Sequence, residues 1–139
     1  MGLLLPFATV LVLLAGFVST ATFLQQTEIG ERVVLDVTPD INTWTRIKYI
    51  GNKEVKEVLV KCGIRDNMRE CRGWRNVDTN QITPTDHYIN DRGQLIMPYY
   101  RASDYGSYES PDQPKRIKIR TDGWSQVGND VITLETKLN

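Results

Sequence analysis

The chain has 139 residues, and its seventeen Lys and Arg balance seventeen Asp and Glu. That length is one ordinary domain by size, and the balanced charge excludes the strongly basic composition of a nucleic-acid-binding protein. Two cysteines and one histidine are too few ligands for a structural zinc site.

Met1 to Thr27 carries no charged side chain, and Leu3 to Val18 is apolar apart from Pro6, Thr9 and Gly16. Ser19-Thr20-Ala21 then places small residues where a signal peptidase reads. The pattern predicts a cleaved secretory signal over residues 1–21 and a mature chain, 22–139, beginning at Thr22. The apolar run is short for a membrane span, which needs about 20 residues, so an uncleaved anchor is the lesser alternative. The mature chain is expected to hold no span and, with no apolar tail, no lipid anchor.

Strand signals dominate the rest. Arg32 to Val37 sets Val33, Leu35 and Val37 on one face. Thr45 to Ile50 alternates and ends at the turn pair Gly51-Asn52. Val55 to Cys62 is a third run, with Val58, Val60 and Cys62 on one side. Asn67 to Glu70 allows one helical turn. Thr79 to Arg92 is polar and reads as loop, with a short edge strand at His87 to Ile89. Gly93 to Met97 is a strand stopped by Pro98. Arg116 to Arg120 and Val131 to Thr136 are the last two, with Thr121 to Asp130 joining them as a hairpin loop. Short strands separated by turn signals indicate an all-β sandwich.

Cys62 and Cys71 are the only cysteines, so in a secreted chain they are expected to form a disulfide with each other. The bridge closes a short charged loop, with Arg65 and Arg69 inside and Trp74 just beyond. Such a loop is either a preorganised contact site or a staple for a long connection. The absence of an Asn-x-Ser/Thr sequon removes any expectation of N-glycosylation.

Asp104-Tyr105-Gly106-Ser107-Tyr108 resembles the Asp-x-Gly-x-Tyr signature of immunoglobulin domains. Upstream, Gly30-x-x-Val33-x-Leu35-x-Val37 resembles the strand B pattern of that family. The resemblance spans about residues 28–138. It implies an immunoglobulin-like antiparallel β-sandwich in which the Tyr108 hydroxyl bonds back to the chain, with Asp104, Gly106 and Tyr108 as the fold motif. The family's two cysteines fall on Val37 and Ser110, and its strand C tryptophan falls near Ile47, so the usual inter-sheet disulfide is expected to be lacking. Val37 and Ile47 are then expected to pack as plain core. Ser110-Pro111 interrupts what would be a central strand. The sequence also resembles small secreted single-immunoglobulin-domain proteins of invertebrates, nematodes especially.

No nucleophile–base motif accompanies His87 and Asp86, and strand neighbours point to opposite faces. His87 reads as a solvated loop residue, the scattered carboxylates as surface charge, and no metal or cofactor is expected. Arg116, Lys118 and Arg120 share one strand face, which either meets an anionic partner, such as an acidic protein patch or an anionic glycan, or is a solvated face that discourages aggregation. Trp74, Tyr99, Tyr100 and Trp124 read as core lids or as recognition anchors. The expected function is a secreted extracellular binding, adhesion or signalling module without catalysis, whose partner is an extracellular protein or cell-surface receptor. The alternative is a secreted carrier of a small apolar ligand, which requires a closed barrel.

Overall fold

The computed structural model describes residues 18–19, 22–63, 67–114, 116–120, 123–127 and 129–138; for 18–19, 116–120 and 123–127 only the backbone is described. The chain divides into two compact units. One comprises residues 1–20 with 115–128, and the other residues 21–114 with 129–139.

In the first unit β1 (Val18–Ser19) runs parallel to β12 (Gly123–Val127), which pairs antiparallel with β11 (Arg116–Arg120). The segment read as a loop between the last two predicted strands therefore contains a strand of its own. Arg120 pairs with Gly123 at one end of this ladder. Trp124 lies on β12.

The second unit holds a seven-stranded and a three-stranded sheet. The large sheet has the order β2 (Thr22–Thr27), β13 (Val131–Thr136), β10 (Gly106–Glu109), β4 (Thr43–Ile50), β5 (Lys53–Val60), β6 (Gly73–Asn76) and β7 (Ile82–Pro84). The small sheet runs β3 (Val33–Leu35), β9 (Leu95–Met97), β8 (Tyr88–Ile89). The order β13-β10-β4-β5-β6 is the G-F-C-C′-C″ order of a variable-type immunoglobulin sheet, and β3-β9-β8 is the B-E-D order of its partner. The fold is an immunoglobulin-like all-β sandwich. The polar segment 79–92 contributes two short strands, β7 and β8, and Gly51 (φ +64°) turns the β4–β5 hairpin, a conformation that costs glycine least.

Val33, Leu35, Leu95 and Met97 from the small sheet meet Trp44, Leu59, Trp74, Tyr108, Ile132 and Leu134 from the large one in a single core. Four aromatic rings, Trp44, Trp74, Tyr100 and Tyr108, are fully buried there. Aromatic burial contributes a large share of the stability of so small a core.

Two faces differ from the sequence expectation. On β4 the inward row is Trp44, Arg46 and then half-buried Lys48, while Ile47 lies outside the core. Trp44 fills the strand C tryptophan's place, and its Nε1 donates to the Gly93 carbonyl at 2.9 Å. On β5 the inward pair is Glu57 and Leu59, with Val58 and Val60 only partly buried. The register explains both, because Trp44 pairs with Leu59 and Arg46 with Glu57. An opposite-charge pair inside the sandwich reverses the alternation that hydrophobicity alone would choose. Val37 packs against the core as expected.

β10 ends at Glu109, since Pro111 has no N–H to continue a ladder. Ser110 is nevertheless fully buried. Its Oγ donates to the Thr43 carbonyl at 2.5 Å, and Asp112 Oδ2 accepts the Asn42 and Thr43 amides at 2.9 Å each. Side chains thus take over where strand pairing stops, and the path after Tyr108 is fixed.

Candidate functional site

The motif residues lie where the 3₁₀ turn Ala102–Asp104 enters β10. Tyr108 Oη donates to the backbone carbonyl of Asp104 at 2.6 Å, and burial pushes the phenol's pKa up. Gly106 has φ +142°, and a Cβ there would stand 2.7 Å from the Ile47 carbonyl oxygen, so only glycine lets the two backbones approach.

Around this corner a polar network is buried. Arg46 Nε donates to Glu57 Oε1 at 2.9 Å, and Nη1 stands 3.7 Å from Asp104 Oδ1. The guanidinium carbon lies 4.3 Å from the Trp74 ring centroid, a cation–π contact that strengthens on desolvation. Asp104 Oδ2 accepts the Arg101 amide at 2.9 Å. Trp74 Nε1 donates to His87 Nδ1 at 3.0 Å, which assigns the imidazole's proton to Nε2 when the ring is neutral. Nε2 faces Asp104 Oδ1 at 3.4 Å.

His87 is therefore a core residue, 6% exposed, and not a solvated loop histidine. Its position after Thr85-Asp86 in a polar segment gave no sign of this. Burial raises the Asp104 pKa, but the His87 imidazole, the Arg101 amide and the Arg46 charge outweigh it and hold the carboxyl below the ordinary aspartate value.

Above the network lies an open cleft of about 520 Å³, lined by Arg46, Lys48, Thr83, Pro84, Thr85, Asp86, Arg101, Ser103 and Asp104. Arg101 pairs with Asp86 at 3.2 Å and stacks over Tyr99. The Lys48 ammonium donates to the Ser103 carbonyl. Burial, and then the charge of Arg46, lower the Lys48 pKa. Among the described residues no cluster of three or more His, Cys, Asp or Glu is arranged to hold a metal. The cleft's chemistry is that of charge and hydrogen-bond donors.

The remaining sequence candidates lie elsewhere. Cys62 and Cys71 are bonded, with Cα atoms 5.7 Å apart. The bridge ties the segment after β5 to the 3₁₀ turn Arg69–Arg72 before β6, so it links two neighbours in one sheet. Arg69 is exposed and donates to the Asn80 carbonyl at 2.6 Å, which fixes the loop against the β6–β7 turn. Arg65 lies outside the described residues. Trp74 does not project beside the loop as a contact; it is fully buried, because β6 directs it inward over Arg46. Tyr100 is also core, while Tyr99 is half exposed. Arg116, Lys118 and Arg120 follow one another at alternate positions of β11, and their side chains lie outside the described residues. Among the described residues no helix is long and apolar enough to cross a membrane.

What sequence reasoning missed is the set Arg46, Lys48, Glu57 and His87. The one available signal was the spacing of Arg46 and Glu57 about the Gly51-Asn52 turn, which makes them cross-strand partners.

No protein-family model matches the chain, and no curated protein matches it. Among solved structures, the extracellular portion of mouse CD200RLa is similar at 10% identity and a TM-score of 0.35, over 86% of this chain. This chain spans 56% of that one.

Proposed function

We propose that the protein is an extracellular binding module that recognises a protein partner through the outward face of its large sheet, without catalysis. One observation carries this reading. The outward row of β4 is Thr45, Ile47 and Tyr49, and β5 sets Val58 and Val60 beside it. Tyr49 is 60% exposed, and Ile47, Val58 and Val60 are partly exposed and outside the core cluster. Glu54 and Lys56 lie opposite Tyr49 and Ile47 on this face, and an exposed tyrosine set among aliphatic and charged side chains is a composition that binding surfaces share.

Two further observations support the setting. The Cys62–Cys71 bridge suits an oxidising compartment, and the uncharged segment 1–21 fits a secretory signal cleaved before Thr22. The groups suited to acid–base chemistry are buried and engaged with one another: His87 with Trp74, and Asp104 with Arg101 and Arg46. The disulfide loop with Arg65 and Arg69, and the β11 residues Arg116, Lys118 and Arg120, are secondary contacts in this proposal, the latter for an anionic glycan.

The test is staining of cells with the tetramerised secreted protein, beside the variant Ile47→Asp/Tyr49→Asp. Tyr49 is exposed but Ile47 only partly so, so urea unfolding of the variant, expected to stay cooperative, checks that it is folded. Surface binding by wild type that the variant loses supports the proposal. Undiminished binding by the folded variant rejects the face, and turnover of a substrate by the purified protein rejects the non-catalytic reading.

A further inference from the structure

We propose that the cleft between β4, β7 and the 3₁₀ turn Ala102–Asp104 is an anion site that takes a single carboxylate group. It lies on a different surface from the sheet face discussed above and does not depend on that reading.

Charge selects the ligand class. Three cations line the cleft, Arg46, Lys48 and Arg101, against two carboxylates, Asp86 and Asp104. Glu57, 2.9 Å from Arg46 beneath the cleft, brings these charges into balance, so only a ligand with a single negative charge, held by donors left unengaged, fits. A dianion such as phosphate would add two negative charges where the cations and carboxylates already balance.

The cations are unequally engaged. Arg101 already holds Asp86. Arg46 is paired through Nε to Glu57, but its Nη1 is buried without a hydrogen-bond partner and is 3.7 Å from the nearest carboxylate oxygen of Asp104. Lys48 makes no ion pair among the described residues. One of its three donors goes to the neutral carbonyl of Ser103, which leaves two N–H groups for a ligand. Burial and the Arg46 charge disfavour the ammonium more than Glu57 and Asp104 favour it, and a carboxylate in the cleft would add to the favourable side.

In this arrangement Lys48 supplies the charged contact and Arg101 the second donor group from the rim. Arg46, its charge balanced by Glu57, offers the unpartnered Nη1 from beneath. Thr83, Thr85 and Ser103 also line the cleft. Charge-assisted hydrogen bonds of this kind are about twice as strong as neutral ones, and the buried network below keeps Arg46 from moving away.

The carboxylate has two possible sources, a free small acid or an acidic side chain presented by a polypeptide. The experiment separates them. The ¹⁵N-labelled secreted protein is titrated at constant ionic strength with sodium acetate, with a blocked tripeptide containing one Glu, and with the same tripeptide containing Gln. Inorganic phosphate is a fourth arm. We expect saturable amide shifts confined to Thr83, Thr85, Asp86 and residues 101–104 with acetate, with the Glu peptide, or with both, and none with the Gln peptide. Saturation by acetate alone identifies a free acid. Tighter saturation by the peptide identifies a presented side chain.

Lys48→Gln should weaken binding at least tenfold. Arg101→Gln, on the exposed rim, should weaken it severalfold and provides the test if the first variant does not fold. The proposal is overturned by shifts that stay linear with concentration, by phosphate binding more tightly than either carboxylate, or by wild-type affinity in the folded variants.

Discussion

Around Leu35, Leu95 and Met97 the sandwich is closed by apolar side chains alone, whereas two residues beyond Trp44 on the same strand it buries Arg46 against Glu57, with His87 and Asp104 beside them. Both regions exclude water, but they hold together differently. The apolar region gains from area removed from water and from close packing, which tolerates volume-conserving exchange. The polar region returns only part of the desolvation cost of its charges, and only while every partner is in place. Its members also hold one another in position. Trp74 orients His87 by a hydrogen bond, lies under Arg46, and meets Tyr108 edge-on with ring centroids 5.9 Å apart. The difference teaches that the cleft above this region has a rigid charged floor, whereas a cleft over the apolar region would have had an adaptable, neutral one.

Removing one charge should break the polar region most severely. Glu57→Gln leaves the Arg46 guanidinium buried without its principal counter-charge, and the loss expected from breaking a buried pair is about 3–5 kcal/mol. Replacing both partners, Arg46→Met with Glu57→Leu, should recover much of that loss, because an apolar pair of similar volume needs no desolvation. Urea unfolding of the two variants checks the claim. Equal destabilisation by the single and double changes would show that the apolar pair does not recover the loss, because it also gives up the stacking of Arg46 on Trp74.

Acid should separate the two regions next, since only one of them titrates. The Asp104 carboxyl is held below its ordinary range by His87, Arg101 and Arg46 against the opposing effect of burial. A carboxyl whose folded pKa is depressed contributes stability above its unfolded value, near pH ~4, and that contribution disappears as pH falls through the folded value. The unfolding midpoint should therefore decline on acidification below about pH 4. The decline in that window should be shallower in Asp104→Asn, which lacks the titrating group. An identical acid limb in variant and wild type would place the acid sensitivity elsewhere.

The apolar region was legible in the sequence and the polar one was not. Val33, Leu35, Leu95 and Met97 alternate as buried strands do, and the Asp104-to-Tyr108 motif located the corner. β4 and β5 were read in the wrong phase. Ile47 and Val58 look like core and Arg46 and Glu57 like surface until the hairpin register sets the two charges opposite each other. His87 was hidden for a related reason. Its neighbours Thr85 and Asp86 are polar, and its partners Trp74 and Asp104 lie 13 and 17 residues away along the chain, so no local pattern announces its burial. Trp74 was drawn to the surface by its nearness to the disulfide loop, although the short strand it occupies directs it inward. The segment after β11 was divided wrongly because Gly123 reads as a loop residue when it opens β12.

The smallest expected effect is also the one that isolates the corner from the charges around it. Tyr108 belongs to both regions: its ring packs in the core, and its hydroxyl is the donor to the Asp104 carbonyl at 2.6 Å. Tyr108→Phe keeps the ring and removes the donor. The carbonyl it leaves loses its side-chain donor, so the loss should be about 1 kcal/mol, somewhat more if no water enters. The acid limb described above should be almost unmoved, because the backbone carbonyl rather than the Asp104 carboxylate accepts this bond. That pairing of results is the discriminating one. A drop in midpoint with an unchanged acid limb assigns the hydroxyl to fixing the turn before β10. A drop accompanied by a shifted acid limb would mean that Tyr108 positions the Asp104 carboxylate as well, and that the corner and the charged network are one unit. No change in midpoint would show that the hydrogen bond contributes nothing to the stability of the corner.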